Sequence, residues 1–330
     1  MKLVINKIKN GHVSQDTVDE FEKAILKDSI VSHAKELNKY VFKLLRFINR
    51  LCGKFGFTII RKTNISYKVE PLLDSKHLFT VMMGLDIYKY RSFGFLTKHN
   101  KSIFMIDAWE HDHEKIVDFV NTFKIDNIFI SSLQATNMLG LLIRETKINW
   151  IPEGINPEEY KYLSYNEKNI DVLAFGRKYD LYHDQIVGYL QENEKIYLYE
   201  KVKGEIIFPT RIEFINGLAH SKVSICVTAN ITHPLRSGNI ETMNIRYLQS
   251  IVSKCLLVGH APKEMIQLFG YNPVIEIDME NPVEQLDEIL KNYSDYIPLI
   301  EKNYQIVLKY HTWKDRWNQI KECLIVNSKN

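Results

Sequence analysis

From residue 77 onward, short apolar runs alternate with stretches that have the periodicity of amphipathic helices. The apolar runs predict buried strands at 77–83, 102–109, 127–132, 148–152, 170–176, 195–201, 205–209, 223–229, 255–259 and 273–278. Helical patterns separate most of these strands, at 113–124, 133–146, 183–193, 211–220 and 241–253, and two more follow at 282–293 and 296–308. This alternation is typical of a parallel sheet with crossover helices.

A polar segment at 153–169, which contains Gly, Pro and Asn, divides the alternation into two series. We therefore predict two doubly wound, Rossmann-like α/β domains, residues 1–154 and 155–310, followed by a helix in 311–330. Ligands of open parallel sheets bind beyond the carboxyl ends of the strands. The cleft between two such domains is the expected functional site.

The amino-terminal region predicts a basic amphipathic helix near 31–54. At 100° per residue, its six cations lie within an arc of about 100°, and they are Lys35, Lys39, Lys43, Arg46, Arg50 and Lys54. A docked surface helix with a solvated cationic face is the simplest interpretation. Contact with an anionic membrane surface through residues 35–54 is one alternative, and attraction of an anionic ligand is another.

Charge and composition limit the class of protein. The net charge of +3 combines an excess of 14 Lys and Arg over 6 Asp and Glu in residues 1–68 with a negative balance in the remainder. A protein that binds nucleic acid with its whole surface is not expected to look like this. The four cysteines are far apart in sequence, and neither a signal peptide nor an apolar run of membrane-spanning length is evident. We expect a cytoplasmic protein with reduced thiols.

A polar loop between a predicted strand and a helix is the most informative stretch for chemistry. It carries His233, Arg236, Ser237 and Gly238. Loop amides and a helix N-terminus bind anions, and Arg236 can add a bidentate contact to phosphate. Glu241 and Gln249 follow with seven residues between them, and Arg246 shares the helical face of Gln249. A solvated loop with an amphipathic helix is the alternative, and the spacing alone favours it.

A second cluster of titratable residues follows the predicted strand at 102–109. Asp107 and His111 are candidates for a general base, and Trp109 is a candidate for stacking on a ring of a ligand beside Glu110. The spacing of His111 and His113 also fits metal ligands, although weakly. A charged helix start with an aspartate cap is the simpler alternative.

The stretch 232–259 resembles the donor-binding region of GT-B glycosyltransferases, specifically the CgeB-like "glycosyl transferases group 1" family. In the related retaining enzymes, two glutamates separated by seven residues bracket a helix. Glu241 matches the first, which addresses the donor sugar. Gln249 stands in place of the second, which binds the nucleotide ribose. A glutamine can still bond a ribose hydroxyl, but it brings no charge.

Three other stretches resemble the same family in the same order. IPEGINPEEY (151–160) is similar to the interdomain stretch, and HTWKDRW (311–317) to the terminal helix that crosses back to the first domain. DVLAFGRKYD (171–180) is similar to the first strand and turn of the donor domain. In that turn Gly176 permits a tight bend, and Arg177 and Lys178 can face the diphosphate.

The resemblance implies a glycosyltransferase of the hexosyltransferase type. It would move a sugar from a nucleotide-diphosphate sugar to a glycan or lipid-linked acceptor, in the synthesis of a bacterial surface glycan, with retention favoured. No metal or other cofactor is expected, because fixed cations and helix amides can stabilise the leaving diphosphate. The expected site combines Asp107, His111 and Glu241 for catalysis and Trp109 and Glu110 for the acceptor. The expected donor contacts are Gly176, Arg177, Lys178, His233, Arg236, Ser237, Gly238, Asn244, Arg246 and Gln249.

Two rival hypotheses use the same fold. The first is a nucleotide-sugar epimerase or hydrolase, which acts on the donor without an acceptor. The second is a non-catalytic module that binds a nucleotide sugar. A Rossmann dehydrogenase is disfavoured, because no Gly-x-Gly-x-x-Gly follows a predicted strand. We also expect the protein to be either fully cytoplasmic or held at the inner face of the membrane.

Overall fold

A computed structural model describes residues 3–5, 15–33, 40, 47, 77–85, 100–176, 178–202, 204 and 206–327. Most of the predicted basic helix near 31–54, with all six of its cations, lies outside the described residues, as does Arg177. Residues 31–33 form a strand rather than the start of that helix. Tyr40 and Phe47 are helical and exposed.

The chain divides into two compact units. Unit 1 combines Met1–Pro152 with Arg316–Asn330, and unit 2 is the continuous stretch Glu153–Asp315. Each unit contains one parallel sheet, so the predicted pair of α/β domains is confirmed. Among the described residues, no helix combines the length and the apolar character needed to cross a bilayer.

Among its described residues, unit 1 has the strands β1 (Leu3–Ile5), β2 (Val31–His33), β3 (His77–Met83), β4 (Asn100–Ile106), β5 (Asn127–Ile130) and β6 (Lys147–Trp150). These six strands are parallel and lie in the order β2-β1-β3-β4-β5-β6. The helices of unit 1 with described bounds include α1 (Asp16–Leu26), α2 (His113–Phe123) and α3 (Leu133–Leu142), and a 3-10 turn lies at Glu110–Asp112. The central strands β3 and β4 are almost wholly buried, which explains why most of their residues are apolar.

The first helix of unit 1 shows how sequence spacing becomes packing. Val18, Phe21 and Ile25 recur at intervals of three and four residues and are completely buried. The ring of Phe21 meets Phe104 of β4 edge to face, with 5.0 Å between the centroids. The buried stripe therefore fixes α1 on the sheet.

Unit 2 contains five parallel strands in the order β11-β10-β9-β7-β8. The strands are β7 (Ile170–Ala174), β8 (Tyr197–Tyr199), β9 (Ser221–Cys226), β10 (Leu256–Gly259) and β11 (Ile275–Glu276). The helices are α4 (Asp180–Glu192), α5 (Arg211–His220), α6 (Ala229–Thr232), α7 (Pro234–Ser237), α8 (Ile245–Val252), α9 (Lys263–Phe269), α10 (Pro282–Lys291) and α11 (Ile297–Tyr310). Short 3-10 turns lie at Pro157–Glu159, Tyr165–Glu167 and Tyr293–Tyr296.

The predicted strand at 205–209 is wrong for its described residues, 206–209, which form a bend. They lead into α5, whose start is fixed by a capping box. Thr210 Oγ1 accepts a bond from the Glu213 amide, and the Glu213 carboxylate accepts one from the Thr210 amide. The Phe208 side chain packs against the hydrophobic core of unit 2 and touches α5 at Gly217. Phe208 is therefore covered by a helix and not by a neighbouring strand.

The buried ammonium group of Lys168 joins the ends of two helices in unit 2. Its Nζ donates to the carbonyl oxygens of Ala219, Ser221 and Ser253 at 2.9–3.0 Å. These carbonyls lie at the C-terminal ends of α5 and α8, where a cation is favourable for the helix dipole. All three ammonium protons have acceptors, so the buried charge is satisfied.

The last helix, α12 (Trp313–Asn327), begins in unit 2 and continues in unit 1. In unit 1 the Trp317 ring packs edge to face on Phe79 of β3, with 5.3 Å between the centroids. Asp28 Oδ2 accepts bonds from Lys321 Nζ at 2.8 Å and Trp317 Nε1 at 3.0 Å. The hydrogen bond from Lys321, with that from Trp317, lowers the pKa of the Asp28 carboxyl against a smaller effect of burial.

Near the entry to unit 2, the linker runs beside the start of α12. Ile155 bridges Thr312, with its amide donating to the His311 carbonyl at 3.1 Å and its carbonyl accepting from the Trp313 amide at 2.9 Å. A Cβ on Gly154 would lie 2.9 Å from the Thr312 carbonyl carbon, so this position needs a glycine. The two ends of unit 2 are thus joined by backbone pairing.

Candidate functional site

The strand order of unit 2 reverses between β7 and β9. From β7 the chain runs to β8 at one edge, whereas from β9 it runs through β10 to β11 at the other. This is the topological switch point, beyond which open α/β sheets bind ligands. Gly176 follows β7 with a φ of +77°, and an added Cβ would lie 3.1 Å from Arg246 Cδ. The predicted tight turn at Gly176 therefore requires glycine for its backbone and for the space.

Arg246 lies across this switch point with most of its surface buried. Its Nη1 donates to the Phe175 carbonyl after β7 at 3.0 Å, and its Nη2 to the Val227 carbonyl after β9 at 3.1 Å. Asn244 Oδ1 accepts from both the Nε and the backbone amide of Arg246, and so caps α8. The family resemblance implied a donor contact for Arg246, which stays a prediction, and the bonds seen here join the backbone that follows β7 to the backbone that follows β9.

Glu241 lies in the loop before α8 and is held against the start of α9. Its Oε1 accepts from the Lys263 amide at 3.0 Å and lies 3.2 Å from His260 Nε2. The adjacent Glu264 Oε1 accepts from the Met243 amide and Thr242 Oγ1 at 2.6 and 2.7 Å. The loop and the first turn of α9 therefore hold each other through two carboxylates.

Gln249 is one turn into α8 and is 6 % exposed. Its Nε2 donates to the Tyr160 hydroxyl at 3.1 Å, and Arg211 Nη2 donates to the same oxygen at 3.1 Å. Arg211 also pairs with Glu159 at 3.1 Å. Gln249, which stands in place of the second glutamate, is therefore held by Tyr160 of the linker. Arg246, on the same helix, bonds instead to the backbone carbonyls of Phe175 and Val227.

The polar loop after β9 contains two one-turn helices, α6 and α7. His233 and Arg236 are exposed, whereas Ser237 is buried and donates from Oγ to the His233 carbonyl at 3.0 Å. Gly238 has a φ of +61°, which ends α7. Lys178, beyond the turn at Gly176, lies 3.3 Å from Asp180 and 5.7 Å from the centre of the Tyr199 ring. Arg236 is therefore exposed on a one-turn helix, whereas Lys178 is half-buried just after the turn at Gly176.

The predicted acceptor cluster in unit 1 begins directly after β4. Asp107 has a φ of +58°, and its carbonyl accepts from the Trp109 amide at 3.0 Å. Trp109 is 3 % exposed, so its ring faces are covered. His111 is exposed and lies 3.2 Å from Asp112, while Glu110 begins the 3-10 turn. Trp109 and Glu110 were the predicted acceptor contacts, and of these two only Glu110 is partly open to solvent.

His113, the other histidine of this cluster, is an internal group. Its Nε2 lies 3.3 Å from the Ala108 carbonyl oxygen, and burial lowers the pKa of its imidazole below the ordinary value. A neutral ring that donates to a backbone carbonyl is a structural arrangement. In the part of the chain that the structure describes, no group of three or more His, Cys, Asp or Glu is arranged to hold a metal ion.

No protein-family model and no curated protein sequence matches the chain. Solved structures match it over its whole length. HepE from Anabaena in complex with UDP and glucose has a TM-score of 0.59 at 11 % identity, with 99 % of this chain and 100 % of that chain covered. The UDP-forming α,α-trehalose-phosphate synthase from Burkholderia vietnamiensis has a TM-score of 0.57 at 11 % identity, with 98 % of each chain covered. The chain has the GT-B fold.

A third GT-B neighbour, a glycosyltransferase from Rickettsia africae ESF-5, has a TM-score of 0.53 at 11 % identity, with 98 % of this chain and 97 % of that chain covered. The expected GT-B architecture is therefore confirmed, whereas membership of the CgeB-like family stays a prediction. Sequence reasoning missed His260, Glu264 and Glu276. Their only signal was that each follows or lies near a predicted strand in the carboxyl-terminal series.

Proposed function

We propose that this GT-B chain is a glycosyltransferase that uses a nucleotide-diphosphate sugar. The observation that carries the proposal is the match of both halves of the chain to HepE, which was solved with UDP-glucose, with 99 % of this chain covered and a TM-score of 0.58. The pair Glu241 and Gln249, separated by seven residues in unit 2, supports it. UDP-glucose is therefore the first donor to test.

In this proposal the diphosphate lies beyond β7 and β9. Backbone amides at Gly176 and at the start of α8 would face it, with Arg177, Lys178 and Arg236 as cations. Ser237, Gly238 and His233 would shape the loop that covers it. Fixed amides and cations stabilise the charge that develops on a leaving diphosphate, and this chemistry needs no metal ion.

Glu241 would contact the donor sugar and Gln249 the ribose, and the sugar would keep its anomeric configuration. We assign the acceptor to unit 1, near Asp107, His111 and Glu110, with Asp107 or His111 as the base. A surface glycan or a lipid-linked saccharide is the proposed acceptor class. The burial of Trp109 argues against the stacking role that its sequence position indicated.

Calorimetry with UDP-, GDP-, CMP- and TDP-sugars tests the proposal. We expect one nucleotide to bind and its sugar to be hydrolysed slowly without acceptor. Arg236→Ala should weaken binding about 10- to 100-fold, since a charge-assisted bond contributes about 1.5–3 kcal/mol. Arg144→Ala, which changes an exposed arginine of unit 1, is the matched control. Rapid epimerisation of the sugar would favour an epimerase. Binding without turnover in the presence of acceptor would favour a non-catalytic binding module.

We also propose that the basic helix near 31–54 holds the protein at an anionic membrane surface, at the cytoplasmic face. Besides the cationic arc, Tyr40 and Phe47 are 78 % and 59 % exposed, and aromatic side chains are favourable at the lipid interface. Reversing Lys39, Lys43 and Arg46 to Glu should lower the affinity for phosphatidylserine vesicles at least about 100-fold, since each cation contributes about 1 kcal/mol. Sedimentation with the vesicles measures this affinity. Reversal of the exposed Lys147, Lys161 and Lys201 is the control. Equal sedimentation of both triple variants would contradict this membrane role.

A further inference from the structure

The imidazole of His260 lies between two carboxylates at the carboxyl end of β10. Its Nε2 is 3.2 Å from Glu241 Oε1, and its Nδ1 is 3.1 Å from Glu276 Oε2. Glu241 comes from the loop before α8, whereas Glu276 ends β11. The ring therefore connects the proposed donor-sugar residue to a different strand of the sheet.

The backbone of His260 is fixed on both sides. Its amide donates to the Cys226 carbonyl at 3.0 Å, and its carbonyl accepts from the Tyr247 hydroxyl at 2.6 Å. Glu276 is fixed as well, because its Oε1 accepts from the Ala261 amide and from Asn272 Nδ2. With the backbone and one carboxylate in place, the orientation of the ring determines what Glu241 contacts.

Both ring nitrogens lie within hydrogen-bond distance of a carboxylate. A neutral imidazole has one N–H donor, so its other nitrogen would direct a lone pair at a carboxylate oxygen about 3 Å away. Only the imidazolium donates to Glu241 and Glu276 together. The charged and titratable groups that face the ring or its partners are Glu241 from the loop, Glu276 from β11, Tyr247 from α8, Cys226 from β9 and the exposed Lys263 from α9.

We infer that His260 is a positioning residue that orients the Glu241 carboxylate toward the donor sugar. The inference rests on the proposed function. His260 Nε2 and the Lys263 amide both lie at Glu241 Oε1, and the other ring nitrogen connects this arrangement to Glu276 of β11. Without the imidazole, Glu241 Oε1 retains the Lys263 amide but loses its connection to β11, and the carboxylate can rotate away from the donor sugar.

The test compares His260→Gln with wild type in binding of UDP, binding of UDP-glucose and hydrolysis of UDP-glucose. A glutamine can bond one carboxylate, so the connection between Glu241 and Glu276 is lost. We expect kcat for hydrolysis to fall on the order of 10- to 100-fold, since displacement of a reacting group has effects of this size. UDP affinity should stay within about twofold, because the nucleotide contacts lie elsewhere.

His220→Gln is the matched control. This histidine bonds the Asn216 carbonyl in its own helix, so its variant should keep the wild-type kcat. Glu276→Gln should leave turnover nearer wild type than His260→Gln does, since the bond from His260 to Glu241 remains. If His260→Gln keeps the wild-type kcat, or loses UDP and UDP-glucose binding in equal measure, the inference is wrong while the proposed function stands. If the wild-type protein binds and hydrolyses none of the nucleotide sugars in the panel, the proposed function fails, and this inference fails with it.

Discussion

Replacing Gly259 with alanine is expected to lower the free energy of unfolding by about 4 kcal/mol, a loss typical of severe overpacking in a core. Gly259 ends β10 and pairs in register with Cys226 of β9. An added Cβ would lie 1.7 Å from the Cys226 carbonyl oxygen and 2.6 Å from its carbon. Those are backbone atoms of a central strand, so β10 must move for the methyl group to fit.

Urea unfolding followed by circular dichroism measures this loss. Gly188→Ala is the control, because Gly188 lies inside α4 with no atom within 4 Å of its added Cβ. That variant should gain about 0.5–1 kcal/mol from helix propensity. Displacement of β10 would also shift the adjacent His260, so donor turnover should fall with stability in Gly259→Ala. A urea midpoint for Gly259→Ala equal to that of wild type would contradict this prediction, because β9 and β10 could then move apart at no cost in stability.

The second large effect is expected at Arg246. Arg246→Ala should lower the free energy of unfolding by about 3 kcal/mol, because bonds to a charged donor are lost and buried carbonyl oxygens remain. Nucleotide binding should fall together with stability, since the ends of β7 and β9 form the proposed diphosphate site. The same urea titration, combined with calorimetry, measures both.

Arg246→Lys separates geometry from charge. A lysine keeps the positive charge, but a single ammonium group cannot span the Phe175 and Val227 carbonyls as the guanidinium fork does. We expect it to recover less than half of the lost stability, with Arg144→Ala again as the control. Full recovery with lysine would show that the charge matters and the two-strand bridge does not.

The sheet of each unit could be predicted because burial on both faces makes its central strands mostly apolar. The same rule failed at 206–209, where Ile207 and Phe208 face a helix from a bend. Periodicity reports burial, and it cannot say whether the covering element is a strand or a helix. The capping box at Thr210 was the local signal that the segment leads into α5.

The candidate site was only partly predictable, for a different reason. Gly176 follows from a local backbone requirement, which a motif can report. The partners of Glu241 are more distant in the chain, since His260 comes from the end of β10 and reaches on to Glu276. The bonds of Arg246 could not be predicted for another reason. Its place on α8 was predicted, but its acceptors are backbone carbonyls, which every residue has, so the sequence does not show which of them it bonds.

The return of α12 to unit 1 sets an order for assembly during synthesis. Unit 2 is one continuous stretch, so all of it has been made once Asp315 has left the ribosome. Synthesis of unit 1 begins first, yet its Phe79 lacks the Trp317 ring and its Asp28 lacks Lys321 until α12 has been made. Nascent domains generally mature from the amino terminus onward. Here the earlier domain is completed last, and a chain that stops before residue 317 contains all of unit 2 but a unit 1 without these contacts.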